Sequence, residues 1–186
     1  MRTHAPVLLV LFCVSAAAVL CGCQRSAGNG QTQPPETASP VSAAASLRTM
    51  IDDSDVRPGS DRFAYEGHWE HVTVRRDGRS LGTSSRSFHP GDRAVVWFSG
   101  TQIRLYGVVG PKGGYANVAL DGNPQDERPD FYAPAVHPGV LLYVSPMLEL
   151  REHVLAITVS GVRDARGHGD YVNVDDAAVT SAGGVP

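Results

Sequence analysis

A chain of 186 residues that sets 19 acidic against 16 basic side chains, with no basic block, lacks the charge pattern of a nucleic-acid binder. Its 3 cysteines, Cys13, Cys21 and Cys23, all lie near the amino terminus, so the remainder has no disulfide, no thiol nucleophile and no thiolate metal site. Stability beyond that point rests on burial alone.

The opening stretch MRTHAPVLLVLFCVSAAAVLCGCQ carries Arg2, an apolar run from Val7 to Leu20, and then small residues. About 14 apolar residues are too few for a hydrocarbon core that needs about 20, so residues 1–22 read as a secretory signal. Leu20-Cys21-Gly22-Cys23 resembles the lipobox of bacterial lipoproteins, with Cys21 where a small or β-branched residue is usual. The resemblance implies cleavage after Gly22 and a lipid on Cys23, which would anchor the chain by acyl burial at about 0.8 kcal/mol per CH₂. Gln24 behind that cysteine resembles the outer-membrane sorting pattern of Gram-negative cells. The alternative is an ordinary exported signal without lipid.

Residues 23–49, rich in Ser, Ala, Gly, Pro, Thr and Gln, have too little apolar surface to offset chain entropy and read as a flexible tether. At about 5–6 Å times the square root of residue number, such a tether spans some 25–30 Å on average. Residues 50–181 then form one domain with room for a core, ahead of a short tail at 182–186.

Within the domain, apolar and polar residues alternate over short runs separated by Gly, Pro, Asn and Asp. Ala94, Val96 and Phe98 oppose Val95 and Trp97; Ile103 and Leu105 oppose Arg104 and Tyr106; Ala116, Val118 and Leu120 oppose Tyr115, Asn117 and Ala119. Leu155, Ile157 and Val159, followed by Val172 and Val174, continue the pattern. Period two repeated this often predicts antiparallel strands with one buried face, packed as a β-sandwich. A helical turn is conceivable only at Ser145–Leu155, and His153 onward fits a strand better. No internal repeat is visible.

Four pieces carry a family resemblance. DDSDVRPGSDRFAYEGHWEHV has acidic residues followed by Gly-x-Trp; FSGTQIRLYGVVGPKGGYANVALDG has a Gly-Thr turn, a strand ending in Tyr-Gly, a Gly-rich loop and a strand ending in Leu-Asp-Gly. DFYAP supplies an Asp-apolar-Tyr, and HVLAITVSGVRDARGHGDYVNVDDAAV reads as a closing hairpin. Together, from Ile51 to Val179, they resemble galactose-binding-domain-like jelly rolls, the sandwich of many carbohydrate-binding modules. The resemblance implies an all-β antiparallel sandwich that binds glycan or polysaccharide, with Trp69 and Tyr132 in its structural signature. Function is grafted on such folds, so the side chains must decide it.

Lys112, the only lysine, lies in GVVGPKGGY. A phosphate loop wants Gly-Lys-Ser/Thr opening a helix, whereas here Gly follows Lys112 and a strand follows Gly. Gly107, Gly110, Gly113 and Gly114 are expected to supply positive φ to a long turn, with Lys112 solvated or a rim contact at its tip. In HWEH, His68 and His71 are three apart on a strand and point to opposite faces, so they cannot share an ion. Asp121-Gly122 is expected to form a type I′ turn. Asp52, Asp53, Asp175 and Asp176 lie near the domain's two ends and either bind a structural Ca²⁺ or cap the first and last strands. No nucleophile-elbow or comparable catalytic motif marks any serine, histidine or aspartate.

Sugar recognition needs aromatic faces and planar polar groups. The outward set of Trp97, Arg104, Tyr106, Tyr115 and Asn117, on strands expected to be neighbours in space, with His137 from a loop, is the candidate ligand surface. Trp97, flanked by inward residues, is expected to be exposed. The reading is a noncatalytic glycan-binding lipoprotein of the cell envelope that needs no cofactor unless structural calcium is bound. The alternative is a module that meets an envelope protein.

Overall fold

The structure, a computed structural model, describes residues 47–73 and 82–181. The signal, Cys23 and nearly all of the tether lie outside the described residues. Eleven strands make up the fold: β1 (Leu47–Asp52), β2 (Arg62–Glu66), β3 (Glu70–Thr73), β4 (Thr83–Ser87), β5 (Arg93–Gly100), β6 (Gln102–Val109), β7 (Gly114–Leu120), β8 (Asn123–Pro124), β9 (His137–Val144), β10 (Arg151–Arg163) and β11 (Val172–Ser181). None of the described residues is helical; Ser145–Leu150 is irregular, and the strand begins at Arg151.

Two antiparallel sheets face each other, as the alternation predicts. One runs β2-β5-β10-β7-β8; the other runs β3-β4-β11-β6-β9, with β1 also on β11. The inner faces carry Phe63, Val96, Phe98, Leu155 and Ile157 from the first sheet and Ile51, Ile103, Leu105, Val172 and Val174 from the second, all fully buried. At about 1.5–3 kcal/mol for each large apolar side chain withdrawn from water, this layer is the main source of stability in a fold without disulfides.

Consecutive strands alternate between sheets more often than a hairpin reading allows. The corner at Gly100-Thr101 carries the chain from β5 in one sheet to β6 in the other, and Thr101 N–H donates to Thr180 O at 2.7 Å. A Cβ on Gly100 would sit 2.4 Å from Val179 Cγ1, so this corner is a close approach. Likewise the Gly-rich segment after β6 crosses to β7 in the opposite sheet, and β10 and β11 lie in different sheets. The closing pair expected as a hairpin is a crossover. The true tight hairpin is β7–β8, where Asp121 (φ 50°) and Gly122 (φ 80°) form the two-residue loop expected of a type I′ turn. Asp121 also accepts from Val154 N–H (2.9 Å), Arg151 (2.9 Å) and His153 Nδ1 (2.8 Å), so these donors hold its carboxyl below the usual range against the opposing effect of burial.

Candidate functional site

The crossover between β6 and β7 shapes a concavity on the six-stranded sheet. Gly113 N–H donates to Gly110 O at 2.9 Å, closing a turn with Pro111 and Lys112 at its corners. The backbone around it is interlocked. Tyr171 N–H donates to Lys112 O (2.9 Å), His168 N–H to Pro111 O (3.2 Å) and Gly114 N–H to Tyr171 O (3.0 Å). None of Gly107, Gly110, Gly113 or Gly114 has positive φ. Gly107, Gly113 and Gly114 are glycine because other backbone occupies the space: a Cβ on Gly113 would stand 1.8 Å from Phe131 O, one on Gly107 2.4 Å from Asn173 O and one on Gly114 2.5 Å from Asp170 Cα.

This clamp sets Lys112, His168 and Tyr171 around a cleft of about 490 Å³. Its floor is the outer face of the six-stranded sheet, with Val72, Arg86, Asn173 and Val108 from four adjacent strands. The Arg86 guanidinium lies 5.5 Å from the centre of the Tyr171 ring and pairs with Glu70 at 2.8 Å, which pulls the Glu70 carboxyl below its usual range. Asn173 Oδ1 is buried and has no hydrogen-bond partner among the described residues. An aromatic ring, a planar cation and the Asn173 side chain thus line one apolar-walled cleft, with Asn173 Oδ1 buried beneath its surface. Phe88, 47 % exposed, meets Tyr171 edge-on at 5.3 Å and extends the aromatic surface outward.

The alternation of sheets divides the expected ligand surface in two. Trp97, Tyr115 and Asn117 stand on the outside of the five-stranded sheet, whereas Arg104, Tyr106 and His137 belong to the six-stranded sheet. The expectation that strands adjacent in sequence are neighbours in space is corrected accordingly, and the six residues do not form one surface. Tyr106, two residues from Val108, shares the face of the cleft; His137 lies between the lining residues Val136 and Pro138. Tyr115 is engaged within the fold, its hydroxyl donating to Asp164 at 2.8 Å and Arg128 lying 5.5 Å from its ring centre. Trp97 is 39 % exposed, with the Arg62 guanidinium 5.2 Å from its ring centre. Beside it, Ala64, Val95, Ala156, Ala119 and Pro124 pair in register across all five strands, making a track of small side chains. Trp69 and Tyr132 are both partly covered: Trp69 packs on Tyr65 against the core, and Tyr132 lies under Arg166 at 4.6 Å.

Several solved structures share part of this layout. The chain is similar to a family two carbohydrate esterase from Cellvibrio japonicus (16 % identity, 76 % of this chain and 36 % of that one, TM-score 0.48). It is similar to the CBM36-1 domain of a multidomain xylanase from the hindgut metagenome of Trinervitermes trinervoides (12 % identity, 75 % of this chain and 100 % of that one, TM-score 0.42). A third is a carbohydrate-binding module, CBM36, in complex with calcium and xylotriose (10 % identity, 72 % of this chain and 99 % of that one, TM-score 0.41). No family model matches the chain, and no curated protein does. At these identities and scores, function has to be argued from the chain's own side chains.

The aspartates near the two ends do come to one corner. Asp53 N–H donates to Asp175 O at 2.9 Å, and Asp52 faces Asp176 across the β1–β11 ladder. The Asp53 carboxyl accepts from Thr83 Oγ1 (2.6 Å) and from the Ser85 hydroxyl. Burial, opposed by those hydroxyls and reinforced by the charges of Asp52 and Asp175, raises its pKa to about 6. Asp52 Oδ1 accepts from Thr83 and Ser54, while its Oδ2 is buried without a hydrogen-bond partner. These hard oxygens match calcium in kind. They do not converge on a point: among the described residues no three of these carboxylates bring an oxygen within 4.8 Å of each other.

Ser85 Oγ also lies 2.7 Å from His71 Nδ1. In a catalytic triad the carboxylate orients the histidine, whereas here Asp53 engages the serine, which is fully buried. His153 has both ring nitrogens engaged, by Asp121 and by Glu149 O at 2.8 Å. His68 lies on the connection between β2 and β3, not on one strand with His71 as expected. His68 turns instead to His89 and Asp92, a group that sequence spacing did not reveal because two different connections supply it.

Proposed function

We propose that this protein is a noncatalytic glycan-binding module, exported and held at the cell envelope by a lipid on Cys23, whose ligand seat is the cleft between Lys112, Tyr171 and Arg86. The observation that carries the reading is the conjunction of the Tyr171 ring, the Arg86 plane and the Asn173 amide on the wall and floor of one cleft. A sugar supplies what that surface can use, a C–H patch to stack on the ring and hydroxyls to bond the Arg86 guanidinium and the exposed part of the Asn173 amide. Lys112 and His168 at the rim add donors for further hydroxyl or carboxylate groups.

Affinity electrophoresis through soluble polysaccharides, together with a glycan array, tests this seat. Tyr171→Ala and Asn173→Ala should each weaken retention about 10-fold, the loss of about 1.4 kcal/mol from one stacking or hydrogen-bonding group. Trp97→Ala, on the opposite sheet, should leave retention unchanged. Absence of retention on every glycan tested, or loss confined to Trp97→Ala, would overturn the assignment. Chromogenic glycosides should stay intact, and cleavage of any of them would overturn the noncatalytic reading.

For the anchor, Cys23→Ser should move the protein from the membrane fraction to the soluble fraction of lysed cells, because the acyl chains supply the hold on the bilayer. Equal membrane retention by the variant would remove the lipid from the proposal.

A second reading has its own observation. The exposed Trp97 beside a track of small apolar side chains is the kind of flat surface that a partner protein of the envelope could cover. Pull-down from an envelope extract, abolished by Trp97→Ala and unaffected by Tyr171→Ala, would favour it.

A further inference from the structure

His68 follows β2 on the connection that leads from the five-stranded sheet to the six-stranded one; His89 and Asp92 lie on the connection from β4 to β5, which leads back. Asp92 joins the two. It is 8 % exposed, and its Oδ2 accepts from His68 N–H at 2.8 Å and from the Ser87 hydroxyl at 2.6 Å. Gly67 makes this approach feasible: its φ is 98°, and a Cβ there would lie 2.0 Å from Asp92 Oδ1. The second connection is seated equally firmly, since Gly161 (φ 69°) lets Pro90 pack so close that a Cβ would lie 2.6 Å from its Cγ.

The consequence is a pair of imidazoles set side by side over a carboxylate. The His68 and His89 rings are 5.0 Å apart between centroids, and His89 Nδ1 is 3.8 Å from Asp92 Oδ2. One ligand atom from each of the three residues lies within 4.8 Å of the other two. Phe88 stacks on His89 at 4.2 Å and limits the swing of that ring. Both imidazoles are exposed, so small side-chain rotations can contract the group without disturbing the core.

We infer that His68, His89 and Asp92 form a binding site for a borderline divalent cation of the Zn²⁺ class at the edge where the two sheets meet. Metal–ligand distances of about 2.0–2.2 Å place tetrahedral ligands about 3.3 Å apart, a contraction within reach of rotating imidazoles. Two nitrogens and one carboxylate oxygen suit zinc, nickel or copper rather than calcium, which takes six or more oxygens. The fourth position opens to solvent and would be filled by water. Because its ligands come from both crossovers, a bound ion fastens the two sheets at one edge and favours the folded state. Neither histidine lines the glycan cleft, Phe88 standing between His89 and Tyr171, and the test of the site needs no sugar.

The purified, untagged protein is dialysed against ZnCl₂ and its bound zinc counted, with thermal unfolding followed in parallel. The expected result is one zinc per chain and a rise in Tm of about 5–10 °C at a hundredfold excess over Kd. His68→Ala and His89→Ala should each abolish both effects while melting like the metal-stripped wild type, because both imidazoles are exposed. His137→Ala, away from the group, should retain zinc. Absence of zinc from the wild type, or retention by either His68→Ala or His89→Ala, would overturn the site.

Discussion

Gly113→Ala should destabilise the domain by on the order of 3–5 kcal/mol, a fall of about 10–20 °C in Tm by circular dichroism. A methyl at this position would stand 1.8 Å from Phe131 O, 2.1 Å from its carbonyl carbon and 2.7 Å from Tyr132 N. All three are backbone atoms, so no rotamer change relieves the clash. The Phe131 segment is itself held, with Phe131 N–H donating to Gly114 O and Gly110 N–H to Phe131 O, both at 2.9 Å. Separation therefore breaks two hydrogen bonds and unseats the Phe131 ring, which is fully buried. Gly122→Ala is the companion measurement. Its φ of 80° makes alanine strained, yet nothing lies within 4 Å of the added carbon, so about 1 kcal/mol is expected. Equal melting temperatures for the two variants would refute the distinction between an occupied space and a merely unfavourable dihedral.

The second expectation is a loss of stability between pH 4 and pH 6, opposite to the usual carboxylate effect. The Asp53 carboxyl rises from an ordinary value of 3.8 to about 6 in the fold, mainly through burial. Between those values the folded chain holds the proton more often than the unfolded chain does. Stability from this group is therefore fully present below about pH 4, declines as pH rises through 6, and is then level. The magnitude is on the order of 2 kcal/mol, reduced from the full linkage value for the hydroxyls and nearby solvent that temper the charge. Urea titrations of chelator-treated wild type and Asp53→Asn at pH 5 and pH 7.5 isolate it. The wild type should lose more stability across that interval than the variant, since asparagine keeps the shape and has no charge to bury. Added Ca²⁺ should flatten the wild-type slope if an ion neutralises the corner. Parallel slopes for both proteins would discard the assignment of this effect to Asp53.

The buried faces were legible because their apolar residues alternate without interruption. Ala94, Val96 and Phe98, then Ile103 and Leu105, then Leu155, Ile157 and Val159, lie inward as period two requires. The pairing of strands was not legible. β4, TSSRS, has no apolar residue, and its inward Ser85 and Ser87 are buried because Asp53 and Asp92 accept their hydroxyls. A strand defined by such long-range polar contacts carries no periodic signal. Arg86, the planar cation of the cleft, was hidden with it. Tyr171 and Asn173 were more accessible, since they oppose Val172 and Val174 in a readable strand. The glycines of GVVGPKGGY were recognised as structural, while their reason, the proximity of Phe131 and Asn173, depends on residues distant in sequence.

The strand order also bears on when the sandwich can assemble. β10 lies at the centre of one sheet and β11 of the other, and they are the last two strands of the described fold. Until β11 is available, β4 and β6 have no common neighbour, β1 has no partner, and the pairs β3–β4 and β6–β9 are not joined into one sheet. During synthesis from the amino terminus, most of the domain must therefore remain unassembled until its carboxy-terminal strands emerge, and folding waits on contacts between distant parts of the chain. A polypeptide of this topology stays threadable for nearly the whole of its synthesis.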